Sequence, residues 1–308
     1  MATPSPSTRD IVLGIYAKLA AVVVFAGLDA AVKWLGASYP VAQTMFFRSV
    51  FAFVPLLAMI AAAGGLRVLA SARPGLQALR CLIGLFSLFG FFWAFPRAPL
   101  VDLYAISFAA PLIMTALSVP LLGEAVGWRR WCAVLAGFAG VVVVLNPGGG
   151  DTGIVALVTL GATFMYALSM ILVRLLSRTD HDLVTVALFT VVASLITGSL
   201  CAWDPATHWL APTGWDWLWL ASLGLLGGVG QIVATRAYRL APPSVLAPFE
   251  YSAILFAFGF GYLFFAEWPG VQVWYGLPLI VGSGLYVLHR ERIRARDAAA
   301  ARAAGITR

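Results

Sequence analysis

Charged residues are scarce in this chain of 308 residues, and their scarcity excludes a water-soluble globular domain. Only 11% of the residues are Asp, Glu, Lys or Arg, whereas soluble domains contain about 25%. Apolar residues make up 61% of the sequence, and the mean hydropathy is +0.92. The apolar runs have no charged face for water to solvate, so they are not the amphipathic helices of a soluble core. The sequence therefore predicts an integral membrane protein.

Cysteine and histidine are also scarce, with three of each, and neither type forms a cluster. They are Cys81, Cys132, Cys201, His181, His208 and His289. This spacing excludes a disulfide framework and a metal site. The sequence has no His-Glu-x-x-His, no Gly-x-Ser-x-Gly and no P-loop, which argues against an enzyme and against a transporter driven by bound ATP. No cofactor and no metal are expected.

Ten apolar stretches predict ten membrane-spanning helices, since a helix needs about 20 apolar residues to cross a hydrocarbon core of about 30 Å. The predicted spans are Ile11–Leu35, Val41–Ala63, Leu76–Phe95, Leu100–Leu122, Trp128–Leu145, Gly153–Leu176, Leu183–Ala202, Trp215–Tyr238, Val245–Ala266 and Val271–Leu288.

The net charge of +7 is concentrated in alternate connectors and in the C-terminal tail. The basic residues in question are Arg67, Arg73, Arg129, Arg130, Arg174, Arg178, Arg236 and Arg239, followed by the segment from His289 to Arg296. By the positive-inside rule this pattern predicts a multi-pass protein of the bacterial inner membrane with both termini cytoplasmic. It also identifies the lipid bilayer, and not a nucleic acid, as the partner of the basic residues.

The chain repeats itself when one half is shifted over the other by 143 residues. The shift places Ala98-Pro99 on Ala241-Pro242, Phe108 on Tyr251, Glu124 on Glu267, Trp131 on Trp274 and Gly84 on Gly227. Because each half has an odd number of spans, the halves must lie in opposite orientations. The expected fold is all-α, with ten transmembrane helices as two inverted five-helix repeats. We expect a cytoplasmic tail over residues 1–10, repeats over 11–146 and 153–289, a linker over 147–152 and a basic tail over 290–308.

These features together resemble the EamA-type transporters of the drug/metabolite transporter superfamily. The motifs that carry the resemblance are Phe46-Phe47-Arg48, Arg73-Pro74 with Arg80, Arg97-Ala98-Pro99, Leu122-Gly123-Glu124, Ala247-Pro248-Phe249-Glu250-Tyr251 and Phe265-Ala266-Glu267. The resemblance spans residues 11–288 and implies a ten-helix bundle whose central cavity opens to one side at a time. In the second half Thr190 stands near the place of Arg48, so any role for Arg48 belongs to the first repeat alone.

Asp29 and Arg48 lie at comparable depths inside the first two predicted spans, which makes a contact between the two helices geometrically possible. A charge near the bilayer centre costs about 2.5–3.5 kcal/mol on insertion scales, so each charge needs a partner or a function. Asp29 also precedes Lys33 by four residues, and on one helix face these two can neutralise each other. Arg48 is either part of a structural ion pair or a binding group for a carboxylate or phosphate.

Glu250 is the best single candidate for substrate binding or proton coupling. It lies about six residues into the ninth predicted span, behind Pro248, where a carboxyl group can carry a proton or meet a cationic group of the substrate. The alternative is a paired, structural carboxylate. Further candidates to line a cavity, with ordinary packing as the alternative, are Tyr251, Gln231, Trp93, Tyr104 and Tyr166. Residues at span ends that are expected to cap or brace connectors are Glu124, Glu267 and Asp102.

The sequence therefore predicts a secondary transporter of a small organic metabolite that is riboflavin-, S-adenosylmethionine- or amino-acid-like. It would work by alternating access, as a monomer or a homodimer. The alternatives are a non-enzymatic channel and a receptor-type membrane protein, although the sequence contains no selectivity-filter motif and no ring of charges. Uptake, export and proton coupling all stay open at this point, because gradients decide the direction of transport.

Overall fold

The computed structural model describes residues 8–123, 126–145 and 151–303, and within these ranges it contains helices and no β-strand. The α-helices are α1 (Thr8–Gly36), α2 (Val41–Ala62), α3 (Pro74–Ala94), α4 (Leu100–Ser107), α5 (Ala110–Leu122), α6 (Trp128–Leu145), α7 (Asp151–Leu176), α8 (Asp182–Trp203), α9 (Pro205–His208), α10 (Asp216–Leu240), α11 (Pro243–Leu246), α12 (Ala253–Phe265) and α13 (Val271–Ala303). Three 3₁₀ segments cover Leu66–Leu69, Phe95–Arg97 and Ala247–Ser252.

Ten helical segments of the described residues are long and apolar enough to cross a membrane, which confirms the predicted number of spans. The largest difference in length is at α13, which continues to Ala303, well beyond the predicted end of the tenth span at Leu288. The predicted brace Glu124 and most of the predicted linker over 147–152 lie outside the described residues.

The two halves interlock. Helix α1 packs along α10, and α7, its counterpart in the second half, packs along α3. Two further pairs join equivalent helices directly, α2 with α8 and α6 with α13. Each half thus places its first helix against the third span of the other half, as a two-fold relation between repeats requires. The main apolar core fills the space between them and includes Met45, Leu103, Ile106 and Ile280.

The fourth and ninth spans are both interrupted inside the bundle, which the sequence analysis did not predict. Helix α4 ends at Ser107 and α5 begins at Ala110. Pro111 has no N–H to donate to the carbonyl of Ser107, so the helix cannot run through this point unchanged. In the ninth span Pro248 stands in the 3₁₀ segment between α11 and α12. The first interruption lies inside its span, Leu100–Leu122, whereas the 3₁₀ segment with Glu250 and Tyr251 overlaps the beginning of the ninth span, Pro248–Phe265.

Candidate functional site

Glu250 lies at the centre of a polar cluster formed by α1, α10 and the 3₁₀ segment of the ninth span. The Nζ atom of Lys18 is 2.6 Å from its Oε1 atom, and the Tyr238 hydroxyl donates to the same oxygen at 2.7 Å. Lys18 also donates to the Tyr238 hydroxyl at 3.1 Å. We call Lys18, Tyr238 and Glu250 the Glu250 cluster. The second carboxylate oxygen of Glu250, Oε2, has no hydrogen-bond partner among the described residues.

The two charges of the Glu250 cluster differ in exposure. The side chain of Lys18 is 9% exposed and that of Glu250 is 49% exposed. A cation held this deep needs its carboxylate, whereas the carboxylate has room to meet another group. Sequence reasoning missed Lys18, although a lysine inside the first apolar stretch was itself a signal of function. By the 143-residue shift the counterpart of Glu250 is Ser107, whose hydroxyl donates a hydrogen bond of 2.7 Å to the carbonyl of Leu103 and to no other described residue.

A second group, the Asp29 cluster, consists of Asp29, Arg48, Phe92 and Tyr104. Tyr104 donates a hydrogen bond of 2.5 Å to Asp29. Arg48 lies within electrostatic range of Asp29, but the two make no salt bridge among the described residues. The guanidinium carbon of Arg48 is 5.9 Å from the centre of the Phe92 ring. The buried Nε atom of Arg48 has no hydrogen-bond partner among the described residues. Three candidates from the sequence are thus brought together.

Tyr251 lies beside the Glu250 cluster without a hydrogen bond to it, and Trp93 and Gln231 belong to neither cluster. Tyr251 is 9% exposed, packs on Phe108, and has a buried hydroxyl with no hydrogen-bond partner in the described ranges. The guanidinium carbon of Arg97 lies 4.4 Å from the centre of the Trp93 ring. Gln231 is exposed on α10, and its side-chain amide makes no hydrogen bond to a described residue. Within the described residues, none of the three side chains makes a hydrogen bond to Glu250.

Lys33 does not neutralise Asp29, contrary to expectation. Its Nζ atom is 2.6 Å from Oε1 of Glu267 and donates to the carbonyl oxygens of Phe95 and Ala98. The partner from the other repeat is preferred because it lies beside Lys33 at the end of the bundle where α1 ends, whereas Asp29 is one turn deeper and bound to Tyr104.

The same end of the bundle is closed by a reciprocal exchange of helix caps. Glu267 accepts a hydrogen bond of 3.2 Å from the backbone N–H of Leu100, the first residue of α4. Asp102, in the first turn of α4, accepts one of 3.1 Å from the N–H of Gly270, which precedes α13. Asp102 was expected to act as a helix cap, and the helix that it caps belongs to the other repeat. We call Lys33, Asp102 and Glu267 the Lys33 network. Glu267 braces connectors as the sequence predicted.

The chemistry available at these clusters is binding, and not bond cleavage. No group of three or more His, Cys, Asp or Glu side chains that could hold a metal occurs within the described ranges. The Glu250 cluster offers a carboxylate, an ammonium and a phenol, and the Asp29 cluster offers a guanidinium beside an aromatic face. Such groups recognise charged or aromatic parts of a small molecule.

Comparison with known proteins gives one family and several relatives. Residues 12–146 and 153–288 each match the EamA-like transporter family. The S-adenosylmethionine uptake transporter of Rickettsia bellii is 25% identical over 91% of this chain and 94% of its own length. The riboflavin transporter of Vibrio cholerae is 27% identical over 80% and 82% of the two chains. The pseudopaline exporter of Pseudomonas aeruginosa is 27% identical over 87% and 93%.

A solved crystal structure shares the fold. It is 20% identical in sequence, with a TM-score of 0.60 over 88% of this chain and 95% of its own. The family and the names of the relatives describe transporters and not enzymes, in agreement with the sequence analysis.

Proposed function

Because the chain belongs to the EamA-like transporter family, within the drug/metabolite transporter superfamily, we propose that it is a secondary transporter. In this proposal it moves a small organic metabolite across the bacterial inner membrane by alternating access. The observation that carries the proposal is the Glu250 cluster, a set of paired charges held between apolar helices, in which one carboxylate oxygen has no partner among the residues that the structure describes. Charges kept at such depth mark a solute pathway by default.

Alternating access is supported by the unequal ends of the bundle. The Lys33 network ties α1 to the starts of α4 and α13 at one end. Glu250 lies towards the other end and is half exposed. In interlocked inverted repeats the two halves can exchange their conformations, which closes one end while the other opens.

The substrate class follows from the groups in the two clusters together with the relatives. Those proteins are named for S-adenosylmethionine, riboflavin and pseudopaline. The half-exposed carboxylate of Glu250 suits a cationic or hydrogen-donating group, and Arg48 beside Phe92 suits an anionic or aromatic one. This combination favours a riboflavin-, S-adenosylmethionine- or amino-acid-like solute.

Topology and assembly complete the proposal. We place both termini in the cytoplasm on the strength of the arginine-bearing connectors, and the repeats over residues 11–146 and 153–289, close to the two family matches. The working unit is a monomer or a homodimer. The polar and aromatic residues Glu250, Arg48, Asp29, Tyr104, Gln231 and Trp93 are retained as candidates for substrate binding or coupling, together with Tyr251, which would act through its ring and not through its hydroxyl.

Counterflow in proteoliposomes tests the proposal. Liposomes that contain the purified protein are loaded with one unlabelled solute from a panel of riboflavin, S-adenosylmethionine and amino acids, and uptake of the same labelled solute is followed. A carrier gives a transient overshoot that saturates, whereas a pore gives unsaturated flux and electrical conductance. Saturable counterflow of at least one solute is expected, and conductance without saturation would favour the channel alternative.

Glu250→Gln tests the role of the cluster within that assay. The substitution keeps the size of the side chain but removes its charge, so transport should fall and its dependence on pH should change. Asp182→Asn is a matched control, because Asp182 is an exposed acidic residue at the start of α8. Undiminished transport by Glu250→Gln with an unchanged pH profile would remove Glu250 from the mechanism.

A further inference from the structure

A groove at the surface of the bundle runs between α6 and α13, the last helices of the two repeats. It encloses about 470 Å³, and sites for small molecules commonly enclose about 300–1,000 Å³. The side chains that line it include Arg129, Cys132 and Ala136 on α6 and Pro278, Gly282 and Tyr286 on α13. The Glu250 cluster belongs to other helical segments, so this groove is a separate site.

Glycines and alanines shape the groove. Helices α6 and α13 touch at Gly140 and Gly276, where a Cβ atom on either glycine would come within 2.7 Å of the carbonyl oxygen of the other. Such small residues let two membrane helices approach closely. Further along α13, a Cβ atom on Gly282 would meet nothing within 4 Å. Gly282 and Ala136 both line the groove, so two small residues leave a cleft beside the contact of the helices.

The groove carries arginines at one end. Arg129 is the second residue of α6 and lines the groove. Arg290 follows Tyr286 by four residues on α13, so the two share a helix face. Neither arginine forms a salt bridge with an acidic residue in the described part of the chain. The groove therefore has a basic mouth that no described carboxylate neutralises.

The mouth of the groove is aromatic as well as basic. Trp128 and Tyr286 line it and are 71% and 41% exposed. Tryptophan and tyrosine are enriched where lipid headgroups meet the hydrocarbon core. From Arg129 to Ala136 the groove follows seven residues of α6, which is about 10 Å at 1.5 Å per residue. A charged group at the mouth can thus continue into an apolar chain in the cleft.

The repeat does not impose these features. The 143-residue shift places Gln272 on Arg129 and Leu279 on Ala136. The equivalent positions at the opposite end of the α6–α13 pair therefore have a neutral amide in place of the arginine and a larger side chain in place of the alanine. The basic mouth and the open cleft belong to one end only, so the fold alone does not account for them.

We propose that the groove between α6 and α13 binds a phospholipid with an anionic headgroup. The headgroup lies between Arg129 and Arg290, and one acyl chain lies in the cleft along Ala136 and Gly282. Basic pockets between transmembrane helices bind anionic lipid headgroups, and the planar guanidinium group matches the geometry of phosphate. This site is independent of the proposed transport function.

A second copy of the chain fits the groove less well than a lipid does. Two copies with the same orientation in one membrane are related by a two-fold axis along the membrane normal. Contact through this face would bring Arg129 of one copy towards Arg129 of the other at the same depth. Like charges opposed across an interface are unfavourable, whereas the phosphate of a lipid neutralises them. Charge complementarity therefore favours the anionic phospholipid.

Lipid binding to the purified full-length protein tests the proposal. Native mass spectrometry measures the dissociation constants of phosphatidylglycerol and of phosphatidylcholine with identical acyl chains. The wild type should bind phosphatidylglycerol more tightly. Arg129→Gln should weaken phosphatidylglycerol by about fivefold and leave phosphatidylcholine unchanged, and Arg129→Lys should keep most of the preference because it keeps the charge. Arg67→Gln, at an exposed arginine outside the spans, is the control and should change neither lipid.

Variants that fill the cleft test the position of the acyl chain. Gly282→Leu enters open space, so the melting temperature should hold while phosphatidylglycerol binds more weakly. Ala136→Leu is a second filling variant, and it introduces the residue that the other repeat has at this place. Gly161→Leu is the matched control, because a Cβ atom on Gly161 also meets nothing within 4 Å but this exposed glycine lies on α7.

Three results would overturn the proposal: a wild type without preference for phosphatidylglycerol, an Arg129→Gln variant that keeps the preference, or filling variants that bind this lipid as tightly as the wild type. A dimer that Gly282→Leu dissociates would also overturn it, because the groove would then hold a second copy of the chain. Counterflow with the same preparations reports on the transport function separately.

Discussion

The rings of Phe108 and Tyr251 pack against each other, with their centroids 5.0 Å apart and their planes inclined by 60°. The two residues hold equivalent places in their repeats, 143 positions apart in the sequence. Phe108 lies between α4 and α5, and Tyr251 lies in the 3₁₀ segment before α12. A contact between equivalent residues indicates that the two-fold relation of the repeats passes between them. The interrupted spans therefore meet at the middle of the bundle.

Tyr251→Phe should leave transport unchanged and should keep or raise stability. The hydroxyl of Tyr251 is buried and unpaired within the described residues, and an unpaired buried polar group costs about 1–3 kcal/mol. Phenylalanine removes that group and preserves the ring contact with Phe108. The measurements are thermal unfolding in detergent and counterflow in proteoliposomes.

Tyr238→Phe is the matched control for this prediction. It deletes a hydroxyl that donates to Glu250 at 2.7 Å, so transport should fall although the chemical change is identical. If Tyr251→Phe abolishes transport without loss of stability, its hydroxyl contacts the solute, as the sequence analysis suggested for Tyr251.

Removal of either partner of the Lys33–Glu267 pair should destabilise the protein. The side chains are 7% and 19% exposed, and breaking a buried ion pair costs about 3–5 kcal/mol because one charge is left unpaired. The variants Lys33→Met and Glu267→Gln should each lower the melting temperature, and the double variant should lower it by much less than their sum.

Asp29 supplies the control for that double-mutant cycle. Its carboxylate is bound by Tyr104 and not by Lys33. The effects of Asp29→Asn and Lys33→Met should therefore add. Strong coupling between Asp29 and Lys33, with none between Lys33 and Glu267, would show that the pairing expected from helical spacing is correct after all.

The number of spans was predictable because lipid imposes a simple rule on the chain. A segment that crosses the bilayer must satisfy its own backbone hydrogen bonds and carry about 20 apolar residues, so each span is recorded in local composition. The interruptions at Pro111 and Pro248 were not predictable in the same way. A proline changes the backbone geometry of an apolar run while it hardly changes its hydropathy.

The pairing of charges was not predictable from local sequence. Lys18 and Glu250 are 232 residues apart and belong to different repeats, so the sequence around one residue does not indicate that the other is its partner. The i, i+4 spacing of Asp29 and Lys33 gave the wrong partner because such a pair contributes only about 0.2–0.5 kcal/mol, and carboxylates from other helices compete with it. Depth in a span identified the candidates, whereas the packing of α1 against the second repeat decided their partners.

Asp180 should make stability depend on pH in the acidic range. It lies in the connector between α7 and α8 and accepts hydrogen bonds from Gln77 at 2.9 Å, Ser71 at 2.6 Å and the N–H of Ala72 at 3.0 Å. The hydrogen bonds from Gln77 and then Ser71 are the main reasons why its pKa is lowered to about 2. This carboxylate therefore ties the connector before α3 to the connector before α8.

The ionised form of Asp180 stabilises the folded state, because the pKa of this carboxyl group is lower in the folded protein than the unfolded value of about 4. The stabilisation from Asp180 is fully present above about pH 4 and is lost as the pH falls towards about 2. Asp180→Asn should melt at a lower temperature than the wild type at neutral pH, and this gap should close between about pH 4 and pH 2. Thermal melts over that range check the prediction, with the exposed Asp182→Asn as control. A gap that is constant with pH would contradict it.

Gly224→Ala should destabilise the contact between α10 and α2, the helix that contains Arg48. A Cβ atom at position 224 would come within 2.5 Å of the backbone nitrogen of Ala52 and 2.6 Å of the carbonyl oxygen of Arg48. Backbone atoms cannot rotate away as a side chain does, so the helices must separate, at a cost of about 1–3 kcal/mol. Gly161→Ala is the matched control, since a Cβ there meets nothing within 4 Å, and alanine should stabilise helix α7 by about 0.5–1 kcal/mol. Thermal melts of both variants should move in opposite directions. If Gly224→Ala is as stable as the wild type, then α2 and α10 do not pack this closely, and the position assigned to Arg48 in the Asp29 cluster is wrong as well.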